Sequence, residues 1–269
     1  MSTLTTPAQP GLDLAATRPI PFTRLVAIEL RKMVDTRAGF WLLLSTGLAT
    51  AGVLVIMLIV GAKTDSVLSF TDFMTGANMP LGVFLPILGI MAVTAEFSQR
   101  TALVSFVLVP SRLTLIGAKF VASVMVALLA VATGLLLAAG ATFLMGVISD
   151  ADPIWNQSTV QVTNFFLWHL IGMATGFAFG TLFLNTAVAI VMFFVYSYVL
   201  SVAFSIAEVF LKWWRDLRPW ADFNFAQQPL VNDQALTSEQ WQHLAVSGAL
   251  WLLLPLAIGL WRVLRAEVK

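Results

Sequence analysis

The sequence predicts an all-α integral membrane protein with six transmembrane helices. Three observations lead there. Of the 269 residues, 59% are hydrophobic and only 11% are charged, against roughly 45–50% and about 25% in soluble domains. Six apolar runs occur, at 38–62, 79–95, 117–148, 164–184, 186–209 and 244–264, and each approaches or exceeds the ~20 residues that a helix needs to cross a bilayer core. Each run is continuously apolar rather than alternating at period two, which fits helices and not the strands of a barrel.

Residues 1–21 are polar, rich in Thr and Pro, and lack the apolar core of a signal peptide, so they read as a disordered tail. Residues 22–37 form an amphipathic interfacial helix. Phe22, Leu25, Val26, Leu30, Met33 and Val34 share one face, and Arg24, Arg31, Lys32 and Asp35 lie mostly on the other. The six-span domain occupies 38–269. An even number of spans puts both termini on one side. That side then carries Arg18, Arg24, Arg31, Lys32, Arg37, Arg100, Arg112, Lys119, Arg262, Arg265 and Lys269, and the other only Lys63, Lys212, Arg215 and Arg218. The positive-inside rule therefore predicts cytoplasmic termini in a plasma membrane.

Two connections have unusual composition. Segment 96–119 is polar at its ends and apolar between, from Leu103 to Val109, where a plain linker would be polar throughout. An apolar cytoplasmic stretch closed by Pro110 predicts a short helix docked on its own bundle or on another protein. Segment 210–243 holds Trp213, Trp214, Trp220 and Trp241. Indole favours the headgroup level, so this outer segment is expected to form interfacial or re-entrant helices.

The chemistry that is missing narrows the function. Without cysteine there is no thiolate metal site or cysteine nucleophile, and two histidines leave little for a metal centre. A net charge of +1 gives no basic field for nucleic acid. No G-x-x-x-x-G-K-[ST] loop is present, so nucleotide-driven work requires a partner. Charged pairs that could relay protons through the membrane are absent from the apolar runs, which argues against an ion-driven secondary transporter. The polar groups at membrane depth are few, among them Asn78, Asn164, Asn185, His169, Tyr196 and Tyr198; such a lining suits an apolar or amphipathic substrate. Gly172, Gly176 and Gly180 recur every fourth residue and give the fourth span a face where another helix can approach closely.

The sequence from Glu96-Phe97-Ser98-Gln99-Arg100-Thr101 to Val109-Pro110-Ser111-Arg112 and Lys119 resembles the acidic residue, coupling helix and Pro-x-Arg of the ABC-2-type permease family, although that family usually has a glycine near the position of Arg100. Glu29-Leu30-Arg31-Lys32 resembles its elbow helix. The order of parts matches over nearly the whole chain. The resemblance implies the membrane subunit of an ATP-driven exporter, not itself an enzyme, that pairs with a second copy or homologue around a central pathway. Each subunit would rest on a cytoplasmic ABC ATPase, where ATP and Mg would be held, and this chain would bind no cofactor. It assigns ATPase coupling to Glu96, Phe97, Arg100, Leu103, Phe106, Pro110 and Arg112, and the elbow to Glu29, Arg31 and Lys32. Glu96 and Arg100, at i and i+4, are expected to pair.

Two other readings are weighed beside it. One is a six-span channel or immunity-type membrane protein that works without ATP. The other is an intramembrane glutamate-dependent protease of the CAAX type, which Glu96-x-x-x-Arg100 and Phe165-x-x-x-His169 partly resemble. There, Ala95 replaces the first of the paired glutamates, and the expected topology separates Glu96 from His169 by most of the bilayer, whereas a general base must lie within ~3 Å of its partner or one water away.

Overall fold

The structure is a computed structural model that describes residues 20–98, 111–232 and 234–265. No strand occurs among them, and six helices are long and apolar enough to cross a membrane. Helix α1 (Phe22–Asp35) leads into the first of these, α2 (Arg37–Lys63), followed by α3 (Phe70–Ser98), α4 (Arg112–Ile148) and α5 (Thr159–Phe183). The fifth long helix, α6 (Thr186–Phe210), contains a π-helical turn at Val195–Leu200. Two short helices, α7 (Lys212–Ala221) and α8 (Phe223–Ala226), and a 3-10 turn (Gln228–Val231) precede the last, α9 (Ser238–Arg265), which has its own π-helical turn at Ala249–Leu253. Segment 210–243 is thus largely helical, as its composition led us to expect. The expected tail at 1–21 lies outside the described residues except for Ile20 and Pro21.

Four of the long helices, α3, α4, α5 and α9, begin several residues before the apolar runs do. α3 starts at Phe70 rather than near residue 79, because Asp72 turns back to accept the Ser69 backbone N–H at 2.8 Å and its hydroxyl at 2.6 Å, closing the first turn. Ser158 caps α5 by accepting from the Gln161 N–H, and Thr237 with Gln240 makes a capping box on α9. Polar first turns that read as loop are therefore helix ends. At 37 residues, α4 runs about 55 Å, well beyond a bilayer core of about 30 Å.

The bundle is centred on α3 and α5. A Cβ on Gly176 would stand 2.1 Å from the Pro86 carbonyl oxygen, one on Gly180 2.9 Å from the Ile90 oxygen, and one on Gly89, from the opposite helix, 2.3 Å from the Met173 oxygen. Gly172 is looser, 3.7 Å from the Pro86 ring. Backbone therefore meets backbone along three turns, with Met173 and Phe177 buried beside it. α2 and α4 close the other side of α3 through a core of Phe73, Leu81, Leu85, Val131 and Met145. α9 closes on α5 where a Cβ on Gly259 would meet Thr181.

Helix α1 packs on this bundle with Leu25 and Val26 against Ala118 and Ala122 of α4. One assignment differs: Lys32, placed on the polar face, is half-buried beside a buried Glu29 on the docked face, while Phe22 and Val34 stay exposed. The reason lies in α4, which offers a buried lysine to that face.

Gly176→Ala is expected to destabilise the bundle by about 1–3 kcal/mol, because the new methyl meets backbone that cannot rotate away. A thermal unfolding series in mild detergent, with Gly172→Ala as the tolerated control, measures it.

Candidate functional site

Three of the sequence-predicted residues, Glu29, Lys32 and Glu96, meet at the α1 side of the bundle, where Lys119 joins them in a ring of four charges. Lys32 Nζ lies 2.7 Å from Glu29 Oε1 and 2.8 Å from Glu96 Oε1, and Lys119 Nζ lies 2.7 Å from Glu29 Oε2 and 2.9 Å from Glu96 Oε1. Acid and base alternate around it: Glu29, Lys32, Glu96, Lys119. Three elements contribute, α1 twice, the last turn of α3 once, and the second turn of α4 once. The side chains of Glu29 and Lys119 are each 6% exposed. A charge withdrawn from water so completely is tolerable only when its partners are in place, so the ring dictates where α1 sits.

The local sequence builds each member. Glu29 and Lys32, at i and i+3, share a face of α1. Thr36 ends α1 in an extended conformation and caps α2 by accepting the Gly39 N–H. Gly39 is needed at this corner, since a Cβ there would stand 2.0 Å from the Met33 carbonyl oxygen. The sharp turn returns α2 beside α1 and leaves a cavity of about 340 Å³ between α1, α2 and α3, floored by Met33, Leu42, Leu43, Leu88 and Met91 and capped by the ring. Burial disfavours the Lys32 ammonium, but hydrogen bonds and charge from Glu29 and Glu96 outweigh it and hold its pKa above the ordinary lysine value.

The other predicted residues are dispersed. Arg31 faces outward and pairs with Asp35 at 3.6 Å, with 82% of its side chain exposed, a contact worth little. Phe97 packs against Val93, Ile116, Phe177 and Val263 of its own bundle. Arg112 donates from Nη1 to the Val263 carbonyl at 2.6 Å, neutralising the last turn of α9. Arg100, Leu103, Phe106 and Pro110 lie outside the described residues, and with them the expected Glu96–Arg100 pair. Glu96 and His169, the two ends of the protease resemblance, line different cavities. Among the described residues no cluster of His, Asp and Glu is arranged for a metal ion.

A second charge cluster was not anticipated. The Arg218 guanidinium bonds the Glu208 carboxylate, Asp222 Oδ2 at 3.1 Å and Ser205 Oγ at 2.8 Å, and stacks 4.4 Å over the Phe225 ring. It fastens α7 and α8 to the end of α6, while Asp222 Oδ1 caps α8. Two signals were available in the sequence: the i,i+4 spacing of Arg218 and Asp222, and the lone carboxylate of Glu208 at the end of an apolar run. Ring membership of Lys119 had a weaker signal, a single lysine one turn inside an apolar helix.

No protein-family model matches the chain, and no curated protein matches it.

Two outcomes follow for the ring. Lys119→Met leaves Glu29 and Glu96 facing each other without their buried counter-charge and is expected to cost about 3–5 kcal/mol, measured as thermal unfolding in detergent. Because the Lys32 pKa is raised on folding, its contribution is complete below the ordinary lysine value of about 10.4 and is lost as pH rises through the higher folded value. Wild-type thermal stability is accordingly expected to carry the Lys32 contribution in full and without pH dependence near neutrality, and to fall as pH rises above about 10.4; the fall should shrink in Lys32→Met.

Proposed function

We propose that the chain is the permease subunit of an ATP-driven ABC exporter of the ABC-2 type, working as a dimer on separate cytoplasmic ATPases. The observation that carries this reading is the charge ring. Glu96, just before the 99–110 connection, and Lys119, in the second turn of the helix that follows it, are both bound to α1 through Glu29 and Lys32. A force applied to that connection reaches α3, α4 and α1 together. This is the mechanical requirement of a coupling element: rigid attachment to the spans that must move.

In this reading segment 96–119 couples the spans to the ATPase, α1 is the elbow, and the ring is the joint between them. ATPase closure on the Leu103 and Phe106 side chains would tilt α3 and α4, and the glycine contact would carry that tilt to α5. The ring pairs two carboxylates with two ammonium groups through contacts of 2.7–2.9 Å, so a displacement of one element would be carried to the others. Hydrolysis belongs to the partner, and this chain supplies the pathway. The chain would sit in the plasma membrane with both termini cytoplasmic, the orientation that puts the joint on the ATPase side.

The test is purification of the full-length protein from its native membrane in mild detergent, followed by mass spectrometry. A P-loop ATPase in about equal amount is the expected result, lost at least about tenfold in Leu103→Asp/Phe106→Asp while the permease still inserts. Recovery of the wild type alone, or an ATPase retained by the double variant, overturns the reading and favours an ATP-independent channel or immunity-type protein.

A further inference from the structure

The cavity capped by the charge ring is amphipathic, and one of the four charges is open. The side chains of Glu29 and Lys119 are 6% exposed and that of Glu96 13%, whereas that of Lys32 is 41% exposed. All four line the cavity, whose volume of about 340 Å³ lies within the range that holds small molecules. An ammonium group has three N–H donors, and the Lys32 bonds to Glu29 and Glu96 engage two of them. The charge that an entering group meets first is therefore positive, and the carboxylates are the more deeply buried.

The start of α2 adds to that polarity. Thr36, Ala38 and Gly39 line the same cavity at the N-terminus of a 27-residue helix. Thr36 Oγ1 accepts the Gly39 N–H, while the N–H groups of Arg37 and Ala38 have no carbonyl within the helix to bond. No acidic side chain stands in this first turn to balance the positive end of the helix dipole.

The floor of the cavity, by contrast, is apolar: Met33, Leu42, Leu43, Leu88 and Met91. The cavity occupies the first two turns of α2 and the last three of α3, both long and apolar enough to cross a membrane, so it lies where a bilayer core gives way to headgroups. Phe40 and Trp41, in the same turns of α2, are 50% and 62% exposed and pack edge to face, as residues of an interfacial aromatic belt do. Ala38 is exposed, and Leu42, Met91 and Ala95 are half-buried, so the cavity is reached from the bundle flank between α2 and α3. A soluble anion would leave the apolar floor empty, and a hydrocarbon would leave the lysine and the helix N-terminus unanswered.

We propose that this cavity binds an anionic phospholipid of the adjoining leaflet, its phosphate on Lys32 and the α2 N-terminus and one acyl chain along Met33, Leu42, Leu88 and Met91. The second chain stays in the leaflet. An anionic headgroup is selected because a zwitterionic one brings its own cation to a mouth that is already positive. The site rests on the ring and the α1–α2 corner alone, and it stands whether or not the chain couples to an ATPase.

The probe is phosphatidylglycerol with a diazirine on one acyl chain, a minor component of phosphatidylcholine nanodiscs that hold the full-length protein, irradiated and mapped by peptide mass spectrometry. Phosphatidylcholine with the same diazirine chain is the comparison. At Met33, Leu42, Leu88 and Met91 the anionic probe is expected to label about fivefold more than the zwitterionic one, the weight of one basic residue for an anionic lipid. No such preference is expected at Leu129 and Leu136 of α4, which are 67% and 72% exposed. Lys32→Met should lower cavity labelling by the anionic probe to the level of the zwitterionic one. Ala95→Leu, which narrows the mouth without altering a charge, should lower labelling by both and tests the cavity independently of the stability of the ring. Excess glycerol 3-phosphate, a headgroup without a chain, should not suppress it. Equal cavity labelling by the two probes, a preference that survives Lys32→Met, or labelling undiminished in Ala95→Leu overturns the proposal. Suppression by glycerol 3-phosphate does so as well, because it would make the site one for soluble phosphates.

Discussion

The backbone contact between α3 and α5 is the constraint on which the remaining geometry rests. Between helices in an apolar phase there is little hydrophobic drive to associate, because a lipid tail is as good a neighbour as a leucine. What remains is van der Waals contact at short range, and that requires removing side chains. Gly176, Gly180 and Gly89 do this from both sides, and the two helices lie together with carbonyl oxygens where Cβ atoms would otherwise be. The contact leaves the other faces of α3 free to line both cavities. Leu88, Met91 and Glu96 face the cavity beneath the charge ring, and Gly82 and Pro86 face the one that holds His169 and Tyr196.

Among the described residues, two charge clusters tie elements together in different ways. In the ring, four charges satisfy one another and bind α1, α3 and α4 to each other. Around Arg218, a single guanidinium with two carboxylates, a hydroxyl and an aromatic face fastens the short helices α7 and α8 to the end of α6.

Much of the architecture was legible because its signals are local. The count of long helices follows from run length and bilayer thickness alone. The amphipathic helix before the first run follows from periodicity, and the helical nature of 210–243 from its tryptophans. The i,i+4 glycines announced a close approach, although nothing in their spacing named α3 as the helix approached. Starts of α3, α4, α5 and α9 lie several residues before the apolar runs, because Asp72, Ser111, Ser158 and Thr237 are polar and only their cap geometry reveals them as helix ends.

The class of fold, the number of long apolar helices and the residue types available for chemistry follow from composition and from periods of a few residues. Which residues meet does not. Glu96 was expected beside Arg100, four residues on, but its described contacts are with Lys32, 64 positions away, and with Lys119. Glu29 turned inward with Lys32 because α4 buries a lysine opposite them. His169 was separable from Glu96 on topology, yet its place on a cavity with Tyr196 could not be read from either residue alone. Pairings of this kind depend on helix rotation and mutual approach, which packing of the whole bundle sets and no local pattern encodes.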